Sequence, residues 1–401
     1  MPGPLHGYRI VDLTSNVAGP LATMILGDQG ADVIKVEAPD GDSTRSGANR
    51  RGGFTASFVN NNRNKRSIVL NLKNPAALDA LKRLAATADV FTQNYRPGVA
   101  ERLGVGEDAI RAVKPDIVYV STSGFGEKGP YAQAPAYDPV IQGFSGLATV
   151  QAGSDEARPR LVRTILPDKL TAITASQAIT AALLARERTG EGQHVRLSML
   201  EAVVAFLWPS DMVQQTFVGA GDRYGPVRQE AASAIDLIYE TADGYITAAV
   251  VTDRQWQGLV RALEKPEWLE DERFKTPALR HQNIDARLQM TQDVLIGRNS
   301  AEWLDRLTKA DVPCGPVLTR SQMIRHPHIA ALELLEEYDH PQAGRLRQAR
   351  NAARFSATPP AIRRGAPALG EHTAEILAEL GYSAAEIAEL RAAGTTRTAA
   401  E

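Results

Sequence analysis

The stretch RSIVLNLKNPAALDALKRLAATADVFTQNY, residues 66–95, decides the fold. RSIVLNL (66–72) has the aliphatic, β-branched content of a buried strand. Asn74-Pro75 follows: an asparagine whose side chain can accept a free helix N–H, then a proline whose missing N–H costs nothing in a first helical turn. AALDALKRLAATA then carries apolar residues at helical spacing, and DVFTQNY (89–95) returns to strand composition. Strand, helix, strand at this length is a βαβ unit, whose two strands run parallel.

Working outward, RIVDL (9–13) and ADVIKVE (31–37) read as strands flanking a helix from Pro20 through Leu26, with turns at Gly27 and Gly30. DIVYVSTSG (116–124) reads as a further strand after a helix around 107–113. The repeated rhythm predicts an α/β fold with a parallel sheet flanked by helices, and ligands bind outside the carboxyl ends of such strands. A long helix runs from Asp168 to about Glu187, with Leu170, Ile173, Gln177, Ala181 and Leu184 on one face, and HVRLSM (194–199) follows as a strand. IDLIYETADGYITAAVV (235–251) reads as a hairpin turning at Asp243-Gly244, and a helix from about Arg254 to Leu263 comes next. EHTAEILAELGYSAAEIAELRAAG (371–394) reads as two amphipathic helices broken at Gly381, with a frayed end after Gly394. The organisation expected is a large domain over 1–224, a smaller α+β domain over 225–320, and a segment over 321–401 that returns to the large domain.

The formal net charge of −2 gives no electrostatic case for nucleic acid or an anionic membrane. No run of about 20 apolar residues is present to span a bilayer, and MPGPLHGYRIVDL lacks the pattern of a signal peptide. The one cysteine, Cys314, excludes an internal disulfide and fits a reducing, cytoplasmic setting. His326 and His328 stand two apart with no further ligand nearby, so no metal is expected. TSNVAGP replaces the dinucleotide fingerprint, and no GxSxG elbow occurs. RNKR (63–66) and the pair Arg96 and Arg102 could face a phosphate-bearing ligand, since guanidinium groups bond phosphate oxygens in pairs; a solvated charged loop is the alternative. Asp168, at the mouth of the long helix, could cap free N–H groups there, and the helix N-terminus would keep its carboxylate ionised. An ionised carboxylate in a dry pocket can also act as a nucleophile.

GYRIVDLT (7–14), AGP (18–20), GADVIKVEAPDGDSTR (30–45), NRNKRSIVLNLK (62–73) and ADVFTQNYRPGVAERLG (88–104) stand in that order. ERTGEGQHVRLSMLEA (187–202), TADGYI (241–246), VPCGPV (312–317) and LGEHTAEIL (369–377) continue the series. Over nearly the whole chain this pattern resembles the family III CoA-transferases, the group of formyl-CoA and carnitine CoA-transferases that also contains α-methylacyl-CoA racemases. The resemblance implies a Rossmann-like large domain and a smaller one, in an interlocked homodimer whose active site is shared between chains. It implies CoA or acyl-CoA as substrate with no permanently bound cofactor, and Asp168 as the nucleophile. By the same resemblance Leu72, Lys73, Asn94, Tyr95, Arg96 and Arg102 contact CoA, and Val17 and Tyr137 face the acyl group.

There are departures too. Val17 stands where formyl-CoA transferase has a glutamine that touches a small diacid, and Ala38 where it has a basic residue. No GGGG loop is present, and TILP precedes Asp168 in place of a glycine- and valine-rich approach. Together they imply a different acyl preference, and Val17 with Tyr137 points to an acyl group less polar than oxalate. Two other readings stay open: a racemase, although Ala136-Tyr137-Asp138 lacks the histidine of that group's GHD triplet, and a CoA-binding protein without turnover.

Overall fold

The computed structural model describes residues 3–218 and 237–398. Within it the chain forms two compact units, one of Met1–Ala148, Leu161–Val213 and Glu333–Glu401, the other of Thr149–Arg160 and Gln214–Leu332.

The first unit is built on a seven-stranded sheet. Its elements are β1 (Arg9–Asp12), α1 (Ala18–Asp28), β2 (Asp32–Glu37), β3 (Lys65–Leu70), α2 (Pro75–Ala86), β4 (Val90–Gln93), β5 (Val118–Ser123), α3 (Asp138–Phe144), α4 (Leu166–Thr189), β6 (His194–Ser198) and α5 (Met199–Leu207). In space the six strands run β3-β2-β1-β4-β5-β6, all parallel, and a last strand, Thr396–Arg397, lies antiparallel outside β3. The order 3-2-1-4-5-6 is that of the doubly wound fold, in which the connections reverse direction between β1 and β4 and open a crevice at their carboxyl ends.

The period of two along each strand sorts its residues to the sheet's two faces. Val11, Ile34, Ile68 and Phe91 pack with α2 and with Ile376 and Leu377 of the helix Thr373–Glu379. Ile10, Val33 and Val90 pack on the other face with Leu26 of α1 and Ile179 and Leu183 of α4. Each such side chain contributes about 1.5–3 kcal/mol on full burial. Asn74 caps α2 as expected, its Oδ1 accepting the Ala76 N–H at 3.0 Å, and Pro75 occupies the first turn.

Polar groups tie the crevice together from below. Asp12, at the end of β1, is fully buried and accepts from Lys65 Nζ at 2.9 Å, the Thr14 N–H at 2.9 Å and Thr23 Oγ1 at 2.7 Å. Lys35 Nζ donates to the Thr14 carbonyl at 2.8 Å and to Asp42 at 2.9 Å. Burial opposes the Asp12 charge, but Lys65 and Lys35 outweigh it and hold the carboxyl at about 2. Burial also pushes the Lys65 ammonium down to about 8, against the attraction of Asp12. The run RNKR is therefore neither a solvated loop nor a phosphate site. Arg63 pairs with Asp28 at 2.7 Å, Lys65 with Asp12, and Arg66 with Asp32 at 2.7 Å and with Glu375 at 2.8 Å.

Two other expectations are corrected. The expected fraying does not begin directly after Gly394: Thr396 pairs with Leu70, its Oγ1 donates to the Val69 carbonyl at 2.6 Å, and Thr395 and Thr396 are buried. These β-branched residues cover the open edge of β3. The face of α4 that bears Ile173 and Leu184 is not the core face, for those two are 59% and 52% exposed. Instead Ala172 and Ala175 pack against Ala22 of α1, because small side chains let the two helices approach closely.

In the second unit, Ile238–Thr241, Gly244–Ala248 and Cys314–Pro316 form an antiparallel three-stranded sheet, with the hairpin turn at Ala242 and Asp243, one residue before the expected Asp243-Gly244. The start of that hairpin, Ile235 and Asp236, and the expected boundary at 224/225 lie outside the described residues. The sheet packs with Trp256, Phe274, Leu288 and Trp303, and Trp303 Nε1 donates to the Leu295 carbonyl at 2.7 Å. Cys314 packs at the margin of this core.

Asp12→Ala would leave Lys65 buried beside no carboxylate, while Lys35 keeps Asp42. We expect it to lose about 3–5 kcal/mol, read as a lower urea midpoint at pH 7. Asp12 titrates at about 2 in the fold against an ordinary 3.8, so its contribution is complete above about pH 4 and is lost as pH falls toward 2. The gap between wild type and variant should therefore narrow across that window.

Candidate functional site

Asp168 is the third residue of α4. Pro167 lies in the first turn, where its missing N–H is harmless, and no side chain caps this helix. The N–H of Ala18, the first residue of α1, favours the charged form of the Asp168 carboxylate. The Asp168 N–H donates to Asp138 Oδ2 at 3.2 Å. Asp138 opens α3 and is 3% exposed; its Oδ1 accepts from Gln142 Nε2 at 2.6 Å. Gln142 Oε1 in turn accepts the Val162 N–H at 2.9 Å, which pins the segment leading into α4.

The carboxylate stays ionised at neutral pH as expected, but it is more basic than a helix N-terminus would make it. Burial first, and the negative charge of Asp138 second, push Asp168 up to about 6, and the Ala18 N–H only partly opposes them. The helix N-terminus does not hold the acid low. Near pH 7 the group is still ionised about ten to one, yet it is far more basic than an exposed aspartate, which strengthens it as a nucleophile.

The expected site residues fall into three places. Val17 and Tyr137 precede the two residues that act on Asp168, and Asn94 stands at the reversal point of the sheet. Val17 immediately precedes Ala18, and Tyr137 precedes Asp138 and is 71% exposed. Asn94, at the end of β4, donates from Nδ2 to the Ser15 carbonyl at 2.9 Å and accepts the Ser15 N–H at 3.0 Å, which bridges the ends of β1 and β4. Tyr95 and Arg96 line a cavity of about 760 Å³ over the carboxyl ends of β4, β5 and β6, which Asp168 does not line. Leu72, Lys73 and Arg102 lie outside both groups: Leu72 packs on the core, Lys73 is exposed after β3, and Arg102 is exposed at the end of the short helix Val99–Arg102.

Asp138 and Gln142 are the participants that sequence reasoning passed over. Their one signal is the Asp-Pro pair at 138–139, a helix-start pattern whose carboxylate also serves a neighbouring helix. Among the described residues no cluster of histidine, cysteine or acidic groups could hold a metal, and no helix is long and apolar enough to cross a membrane.

A doubly wound sheet with a half-buried, basic carboxylate beside its ligand crevice defines an α/β protein equipped for chemistry on small ligands. The chain belongs to CoA-transferase family III, whose sequence profile matches residues 5–373, and it is an enzyme that moves CoA between acyl-CoA and carboxylate. It is 34% identical over 398 residues to the succinyl-CoA:glutarate CoA-transferase of Homo sapiens, an alignment covering 98% of this chain and 89% of that one. It is 34% identical over 379 residues to the acetyl-CoA:oxalate CoA-transferase of Acetobacter aceti, covering 94% and 96%. The crystal structure of a CAIB/BAIF family protein from Brucella suis superposes with a TM-score of 0.82 at 30% identity, covering 95% of this chain and 100% of that one.

An acid whose pKa is raised on folding supports the fold while protonated and loses that contribution as pH rises through about 6. Asp168→Asn should therefore be more stable than wild type at pH 7, by about 1–2 kcal/mol once partial exposure is discounted. By pH 4 the gap should close. Urea unfolding at both pH values measures it.

Proposed function

We propose that Asp168 is the nucleophile of a CoA transfer in which the enzyme itself carries CoA for part of the cycle. One observation carries the reading: a carboxylate raised to about 6 beside a fixed N–H donor at the sheet's ligand-binding edge. Asp168 attacks the donor thioester, giving a mixed anhydride and CoA thiolate. The thiolate attacks the aspartyl carbonyl, freeing the donor acid and leaving an aspartyl-CoA thioester. An acceptor carboxylate attacks that thioester and displaces the thiolate, which then attacks the acceptor's acyl carbonyl. A new acyl-CoA leaves and Asp168 is restored. The Ala18 N–H, which favours the charged carboxylate, would hold developing negative charge on its oxygen.

In this reading Leu72, Lys73, Asn94, Tyr95, Arg96 and Arg102 hold CoA along the sheet's carboxyl edge, and Val17 and Tyr137 face the acyl group. The family relatives named above act on oxalate or on glutarate and succinyl-CoA. Val17 and Tyr137 favour an acyl group less polar than oxalate for this chain. The large CoA-binding domain, Rossmann-like in strand order, and the smaller α+β domain then work in an interlocked homodimer. The exposed Ile173 and Leu184 of α4 and Phe206 and Trp208 at the end of α5 are large apolar side chains available to an oligomer interface. A cytoplasmic setting accords with the single cysteine, Cys314.

Incubation with acyl-CoA and hydroxylamine should leave a hydroxamate on Asp168, seen by peptide mass spectrometry and absent without acyl-CoA. Asp168→Asn should lose exchange by at least about 10³-fold, the scale on which removal of a covalent catalyst acts. An unmodified Asp168 in turning-over enzyme would exclude the reading.

The exchange rate should fall as pH drops through about 6, because the nucleophile must be ionised. Asp138→Asn removes the repelling charge and should move that acidic limb to lower pH, while wild type and variant converge on neither side through loss of protein.

A further inference from the structure

The cavity of about 760 Å³ holds a second set of reactive side chains, separate from Asp168. Ser121 Oγ, on β5, lies 2.6 Å from His194 Nε2 at the start of β6. His194 Nδ1 lies 2.5 Å from Glu107 Oε2, on the first residue of the short helix Glu107–Arg111. All three line the cavity, and the imidazole is 10% exposed and edge-on to the Tyr119 ring.

The proton arrangement follows from the partners. Burial disfavours the Glu107 charge, but hydrogen bonds from Arg111 and His194 outweigh it and keep the carboxyl below its usual range. An ionised Glu107 takes the Nδ1–H, which leaves Nε2 as the acceptor of the Ser121 hydroxyl proton. Serine, imidazole and carboxylate in this order are the parts of a nucleophilic relay, recognised by geometry and not by place in the chain. Ser121 Oγ also lies 3.3 Å from Glu127 Oε1, whose charge is met by Arg196 Nε at 3.0 Å.

We propose that this cavity is a second, hydrolytic site, with Ser121 as nucleophile, His194 as base and Glu107 as its orienting carboxylate, acting on esters or thioesters of small carboxylic acids. Ser121 Oγ bonds to the acyl carbon as its proton passes to His194 Nε2. The acyl–oxygen or acyl–sulfur bond then breaks, and Nε2–H gives its proton to the leaving alcohol or thiol. Water attacks the acyl-serine, passing a proton to Nε2; the acyl–Oγ bond breaks, the acid leaves, and Oγ recovers the proton. Phe125 and Leu197 supply apolar lining for the acyl chain, and Lys128 supplies a cationic group for an anionic leaving part.

The test treats the full-length protein with a fluorophosphonate probe and maps the adduct by peptide mass spectrometry, with p-nitrophenyl acetate hydrolysis measured alongside. The expected result is an adduct on Ser121, formed at least tenfold more slowly in His194→Gln and Glu107→Gln, with ester hydrolysis lost in Ser121→Ala. Wild-type protein that gives no Ser121 adduct while a control serine hydrolase is labelled overturns the proposal. So does ester hydrolysis unchanged in Ser121→Ala, or an adduct that disappears in Asp168→Asn, which would assign the reaction to the transfer site.

Discussion

The buried Asp12 carboxylate is the constraint on which the crevice depends. It stands at the end of the central strand, where the winding reverses, and draws together β3 through Lys65, the turn after β1 through Thr14, and α1 through Thr23. Lys35 binds the same turn from β2. Four elements thus converge on one small cluster, and the turn that it fixes delivers Val17 and the Ala18 N–H to Asp168. Removing either sign of charge strands the other in a medium that solvates it poorly, so the cluster is kept or lost as a unit.

Asp168 and Asp138 work in the opposite sense. Lysines lower Asp12, whereas a second carboxylate and burial raise Asp168. Two aspartates in one unit are thereby driven apart in acidity, one fixed as a structural anion and the other held near the pH at which it can gain or lose a proton. The separation rests on neighbours: ammonium groups face one and a carboxylate faces the other. Gln142 holds that neighbouring carboxylate in place and restrains the segment that enters α4.

Much of the sheet was legible in the sequence because the signals are local. Asn74-Pro75 marks a helix start by chemistry that needs no tertiary partner, and the aliphatic runs of β1 to β5 mark strands buried on both faces. What depended on distant groups was not legible. The helix-end argument for Asp168 missed its basicity because burial in the fold, and after it Asp138, thirty residues earlier, raise the pKa to about 6. RNKR reads as a surface run until its partners Asp28, Asp12 and Asp32 are placed beside it. Asp168 itself was found by resemblance, for position alone would have made it a cap. Glu107, Ser121 and His194 belong to three elements, and no spacing between them announces that they meet.

The strand Thr396–Arg397 also bears on how the protein is made. Thr396 bonds to Val69 across 327 residues of chain, so β3 leaves the ribosome long before the segment that will cover its edge exists. At ordinary synthesis rates the delay is on the order of tens of seconds. Through that interval the nascent chain displays a bare, aliphatic β-edge, open to pairing with a neighbouring nascent chain on the same message.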